Sequence, residues 1–396
     1  MSNHGLEIAK KHIFSTGLGD IGSSLCRENM KYGIAKIHWV QEQLGMEANA
    51  TFISGPDETV TKNKTRWKNG FGYGGKISWG DGTSKVIILD VMPNACGMLV
   101  GGLNELPSPR KLIERINEMG TKESYIDDIR VTWDFSKSNH FIDVFKVVRL
   151  ADINVPDYAF IIHSGTPELK GDNAKGFGLY VHESDILSEM ADTIETPFGR
   201  SNVILDNDAK EYLRFFHFAD NFTKKKRSLA AKMLFEDFEE ISNPLHQGLL
   251  NYNEIILGAH YIKDEEDLLF PLALRADLPA YLIRGKENLS DEMIEILGFS
   301  KRAKALGVYS SLKNANILPH GGGYTFRDLL TVTNVMEVGG ERYFEVEMHN
   351  AVGHKIFGNP RDIEFIYRGR EVMIKTLELG LGELEARLMP EYVLKV

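Results

Sequence analysis

Apolar residues recur at helical spacing between positions 21 and 44, and that period predicts an early amphipathic helix. A different pattern follows. Residues 85–92 (Lys-Val-Ile-Ile-Leu-Asp-Val-Met) are almost continuously apolar and end at Pro93, which predicts a buried strand delivering the loop 94–97 to a sheet edge. Alternation over 140–148 and an apolar run over 158–163, stopped by Ser-Gly-Thr-Pro, predict two more strands. From 210 to about 241 the period is helical again, with Leu213, Phe216, Phe218, Phe222, Leu229, Met233 and Phe238 expected to face inward. A mixed region from 250 to 300 leads to a glycine turn at 321–323 and an alternating strand at 341–347. A helix at 370–379, stopped by Gly380, and a strand-like tail at 386–396 close the chain.

These elements intermix without a regular βαβ rhythm, and no repeat or low-complexity linker interrupts them. The expected class is therefore α+β: a single large mixed domain over residues 1–396, with central β-sheets flanked by helices and an N-terminal helical part in residues 1–65. Composition supports a packed core, since 43% of residues are hydrophobic and 26% charged. No signal-peptide pattern and no run of about 18 apolar residues occurs, so the expected location is cytoplasmic, without a membrane. Two cysteines, Cys26 and Cys96, are too few for a disulfide framework. A net charge of -10 argues against a broad non-specific grip on nucleic acid and leaves only local patches, the densest being Thr-Lys-Lys-Lys-Arg at 223–227.

Two glycine patterns approach nucleotide loops. Gly17-x-Gly19-x-x-Gly22 opens a helix but lacks both a proper preceding strand and a later acidic strand end. The segment Gly70 to Lys76 has Ile77 where a phosphate loop needs Ser or Thr, and a strand-like Ile-Ser-Trp follows where a helix should begin. A turn between strands accounts for it. Four other side chains carry more chemistry: Cys96, His140, His163 and His246 all fall at turns or strand ends. Thiol and imidazole donors suit manganese or zinc, and their wide spacing fits a centre assembled from several strands better than a small zinc knuckle.

At these residues the chain resembles a known family, the RtcB-type RNA ligases. Residues 138–144 (Ser-Asn-His-Phe-Ile-Asp-Val) resemble that family's Gly-Asn-His-Phe-Ile-Glu-Val, and 162–165 its Ile-His-Ser-Gly turn. Residues 94–98 resemble its cysteine-bearing metal loop, 212–227 a helix, and 244–247 the segment of a further metal histidine. His320-Gly321-Gly322-Gly323 is similar to the His-Gly-Ala-Gly around a guanylated histidine, and 387–395 to a closing segment with a nucleotide-binding lysine.

The resemblance implies one or two Mn2+ ions on Cys96, His140, His163 and His246, GTP as cofactor, and His320 as the nucleophile that carries a guanylate. It implies nucleotide contacts from Asn139, Asp143, Gly321, Gly323 and Lys395, with Asp143 standing where the family has a guanine-reading Glu. The implied activity joins RNA 3'-phosphate or 2',3'-cyclic phosphate ends to 5'-hydroxyl ends, as in tRNA splicing and RNA repair, with a possible activating helper protein. Arg227, Arg284 and Lys286 are candidate RNA phosphate contacts. The chain also departs from the pattern. Pro93 replaces a metal-binding Asp, so the expectation is that Asp90 or Asn94 supplies an oxygen, or that the second metal is bound weakly or not at all. No Pro-Gly-Ser-Met-Gly loop occurs between 287 and 318, and Pro360 replaces an aromatic residue. The alternatives are a metal-dependent phosphoesterase or nucleotidyltransferase, and a non-catalytic nucleic-acid-binding relative.

Overall fold

The computed structural model describes residues 2–135, 139–263, 268–349 and 352–395, so Ser138 and Val396 lie outside the described residues. Helices and strands mix within one large domain. Its centre is a seven-stranded sheet in the spatial order Glu239–Ser242, Gly97–Leu103, Tyr158–Ser164, Phe141–Arg149, Gly382–Leu394, Ala280–Gly285 and Leu269–Leu272. Every neighbouring pair is antiparallel. The two edges meet where Ser242 Oγ donates to the Leu269 carbonyl at 2.6 Å, so the sheet curls almost into a barrel.

Period-two alternation decides what lies inside it. Met98, Val100, Phe145, Val147, Ala159, Ile161, Leu282, Ala386 and Leu388 form the inner cluster. Their sequence neighbours Leu99, Ile142, Val144, Phe160 and Ile162 point outward, against Ala230, Ala231 and Leu234 of the long helix Asp206–Leu234. That helix starts four residues before the expected position and ends near 234, because 239–242 becomes a sheet edge and Phe238 leaves the helix.

A second, five-stranded sheet runs Ile13–Phe14, Thr51–Thr59, Tyr73–Ser78, Glu254–Leu257 and Gln247–Asn251, and the early helix Ile21–Gln43 packs on it. The crossover from the first sheet to the second is residues 242–247, pinned by Met98 N donating to Pro244 O and His246 N donating to Cys96 O. The strand expected over 85–92 is only Val86–Ile88, followed by the 3-10 turn Leu89–Val91 and by Met92 at φ 54°. Arg66 fixes this turn by donating to Val91 O at 3.0 Å and to Met92 O at 2.7 Å. Those bonds hold the loop that presents Cys96.

Neither glycine pattern is a nucleotide loop. Asp20 caps the helix that follows the first, accepting from Ser23 N at 3.0 Å, and its carboxylate takes the Arg368 guanidinium through two bonds. A capping carboxylate already occupies the place an anion would need. Gly22 is required by packing, since a Cβ there would lie 2.2 Å from Tyr324 O. The second pattern leads into the strand Tyr73–Ser78, as a turn should.

Candidate metal centre and nucleophile

The two sheets meet at an open end of the curled one, and there the histidines converge. Cys96 and His163 flank or lie on adjacent strands, with Met98 paired to His163 and Gly97 to Ser164. His140 immediately precedes the strand Phe141–Arg149, and His246 sits in the crossover. Cys96 Sγ lies 3.7 Å from His140 Nε2, and the ligand atoms of Cys96, His140 and His163 all fall within 4.8 Å of one another. The His163 ring is 4.9 Å from that of His246, which stacks 4.6 Å from the His320 ring. A buried Cys96, His140 and His163 group can thus bind a metal ion, with His246 beside it. His163 Nε2 and His246 Nδ1 are buried without a hydrogen-bond partner, which an ion would supply.

A layer of fixed groups orients these ligands. His163 Nδ1 bonds the Asn139 carbonyl at 3.1 Å, and His140 Nδ1 lies 2.9 Å from Asp134 Oδ2, so both rings turn Nε2 toward the cluster. Asp134 is held in turn by Lys226, whose ammonium also meets Glu168 at 3.0 Å and the Gly165 carbonyl at 3.0 Å. Burial would raise the Asp134 carboxyl, but the His140 hydrogen bond and Lys226 hold it below the usual carboxylate range. Burial likewise opposes protonation of His140, yet Asp134 and Cys96 push its pKa up to about 9. His163 and His246 are pushed far down, first by burial and then by neighbouring histidines, and so present neutral imidazoles. Replacing Asp134 with Asn is expected to weaken metal affinity about 10- to 100-fold in a chelator competition. Unchanged affinity would remove the orienting role.

His320 follows the short strand Ile317–Pro319, and its carbonyl accepts from Ala273 N at 3.1 Å at the end of Leu269–Leu272. Its Nδ1 bonds Asp57 Oδ2 at 2.9 Å, and the same oxygen accepts from His320 N at 3.1 Å. This fixes the ring with Nδ1 as donor and Nε2 as the free lone pair. Asp57, fully buried in Thr51–Thr59, was not anticipated; the only hint is a Pro-Asp-Glu step inside an otherwise apolar and small-residue segment. His260 was missed as well. It packs 5.8 Å from His246 and 6.5 Å from His320, its Nε2 taken by the Pro271 carbonyl at 2.8 Å.

The remaining expected residues divide. Asp143 lies on the inner face of the curled sheet, opposite Val393, with Oδ1 buried and unpaired; burial pushes its carboxyl up to about 7 against the pull of Lys395. Leu394 points outward with Tyr392, so alternation puts Lys395 on the face of Asp143. Asn139 contributes its carbonyl to His163. Gly321 bridges Ala273, whereas Gly323, at φ 67°, makes room for Arg368 and for the Asp57 carbonyl rather than for a phosphate.

Asp90 is not a member of the cluster. The 3-10 turn aims its carboxylate at Lys36 Nζ, 3.0 Å away, and at Asn202 Nδ2, 3.0 Å away, in a buried ion pair. Asn94 offers no oxygen either: Oδ1 accepts from Ala95 N at 2.8 Å and Nδ2 faces Cys96 Sγ at 3.3 Å. An Asp90→Ala variant should keep its metal stoichiometry and lose about 3 kcal/mol of stability, because Lys36 is left buried without its carboxylate. Elemental analysis and denaturant titration read the two effects.

Of the three expected RNA contacts, Arg227 lies away from solvent, whereas Arg284 and Lys286 stay partly exposed in ion pairs. Arg227 is fully buried under the Cys96 loop, with Nε donating to Asn243 Oδ1 at 2.6 Å. Helical period carries Lys226 inward with it, so only Lys224 and Lys225 of the basic run reach the surface. Arg284 is held by Glu385 at 2.7 Å and Lys286 by Glu383 at 2.6 Å. Arg284 pairs with Leu269, at the end of that strand away from Ala273 and His320. The region 287–318 holds the short helices Asp291–Ile296, Ser300–Ala305 and Tyr309–Lys313, packed through Ile294, Ala303 and Leu312.

No protein-family model matches the chain, and no curated protein matches it. Among the described residues no helix is long and apolar enough to cross a membrane.

Proposed function

We propose that this protein is a metal-dependent RNA ligase of the RtcB type, in which His320 is guanylated by GTP and the guanylate activates an RNA 3'-phosphate end. The observation that carries the reading is an imidazole with a fixed tautomer, His320 on Asp57, stacked on the last member of a thiol and imidazole cluster. A binding module has no use for such a pair beside a candidate metal centre.

The geometry is compatible with the following chemistry. With Nδ1–H donated to Asp57, the Nε2 lone pair attacks the α-phosphorus of GTP, the bond to the β-phosphate oxygen breaks, and pyrophosphate leaves. The ring gains positive charge as the N–P bond forms, and Asp57 stabilises it. A cation on Cys96, His140, His163 and His246 would neutralise phosphate charge during this displacement. The guanylate then passes to an RNA 3'-phosphate oxygen, freeing His320. A 5'-hydroxyl attacks the activated phosphorus, loses its proton, and expels GMP. Asp143 and Lys395, on one face of adjacent strands, suit the polar edge of a base. Manganese and GTP are the ion and nucleotide implied by the resemblance.

The test is incubation of the full chain with a divalent cation and α-labelled GTP, followed by acid and alkali treatment of the protein. An acid-labile, alkali-stable label and joining of 3'-phosphate to 5'-hydroxyl RNA are expected. Failure of both removes the reading.

A further inference from the structure

The donor set leads to a different metal from the one the resemblance implies. We infer that the centre holds a single ion of zinc type, on the Cys96 sulfur and the imidazoles of His140 and His163 with the unpaired nitrogen of His246 beside them, and not a manganese pair. The inference deepens the reading above and rests on the same four side chains, although it does not depend on which nucleotide is used.

The first ground is the donor set. Manganese is a hard cation that favours carboxylate, carbonyl and water, whereas a thiolate with imidazoles is a donor set that zinc takes, in four-coordinate form or with a position left open. The carboxylates nearby are turned toward other partners, although Asp57 Oδ1 and Asp143 Oδ1 accept no hydrogen bond. Pro93 stands where a carboxylate would be needed and has no side-chain donor. Asp90 serves Lys36 and Asn202, Asn94 Oδ1 serves Ala95 N, Asp134 serves His140 and Lys226, and Asp57 serves the ring and backbone of His320. Among the described residues, no carboxylate joins the tight grouping of Cys96, His140 and His163.

Electrostatics points the same way. The buried cations Lys226 and Arg227 lie behind the Ser164–Gly165 turn that follows His163, and a second dication would add to that positive charge with one sulfur between the two ions. The partnerless nitrogens His163 Nε2 and His246 Nδ1 are what an ion would satisfy. Space beside the sulfur exists because residue 165 is glycine: a Cβ there would lie 2.8 Å from Cys96 Sγ and 3.4 Å from His140 Cε1.

The experiment strips the full chain with a chelator and dialyses it against equal concentrations of Zn2+ and Mn2+. Elemental analysis is expected to find about one zinc per chain and little manganese. Loading with Co2+ is expected to give the intense visible bands of a four-coordinate site and a sulfur charge-transfer band, the latter lost in a folded Cys96→Ser variant. Two ions per chain, retention of manganese in the competition, or no bound ion would overturn the inference. The guanylation assay stays separate from this one. A zinc-loaded protein without a GTP label would keep the metal inference and remove the ligase reading, and a labelled protein with two manganese ions would do the reverse.

Discussion

His320→Ala is expected to abolish the covalent label from GTP, a loss of roughly six orders of magnitude in rate and therefore a fall to background. No neighbour is placed to substitute. His246 stacks at 4.6 Å but is buried beside the Cys96, His140 and His163 group, and His260 has its Nε2 committed to the Pro271 carbonyl. The fold should survive, because the ring lies at the edge of a turn whose register is set by main-chain bonds to Ala273 and Asp57. Metal content should be unchanged, which separates loss of the nucleophile from loss of the ion. A label that persists in a folded His320→Ala protein moves the covalent chemistry to another residue and ends the present mechanism.

His140 and His163 were legible because they flank or end strands whose apolar runs announce them, and a strand end is where a side chain escapes the core. Cys96 was placed after an expected strand at 85–92, whereas the strand it flanks is Gly97–Leu103, which was not predicted. The groups that orient them were not legible. Asp134, Glu168 and Asp57 come from loops and from a glycine-rich sheet without alternation, and their roles depend on contacts between residues far apart in sequence. The basic run is a different kind of miss. Thr223, Lys226, Arg227, Ala230, Ala231 and Leu234 follow helical spacing, so the inward stripe was written in the sequence and was obscured by reading charge as surface. Asp90 failed for a local reason, a 3-10 turn where an extended strand was expected, which rotates the carboxylate onto Lys36.

That same distance between sequence and contact makes Asp57 the strongest test of the mechanism. Its Oδ2 accepts two N–H bonds from His320, one from the ring and one from the backbone, so it sets both the tautomer and the position of the ring. Asp57→Ala removes both constraints and the negative charge that faces the ring as the N–P bond forms. The guanylation rate is expected to fall by roughly three orders of magnitude. Asp57→Asn can keep its oxygen on the two donors but not the charge, and its loss should be smaller, on the order of tenfold to a hundredfold. In both, the apparent affinity for GTP and the metal content should change little, because Asp57 touches neither. A purely structural role makes the opposite forecast: rate, affinity and metal content would decline together with thermal stability, and Asn would rescue none of them. Single-turnover labelling alongside metal analysis of the two variants decides between the accounts, and an undiminished rate in Asp57→Ala would show that His320 is positioned by something else.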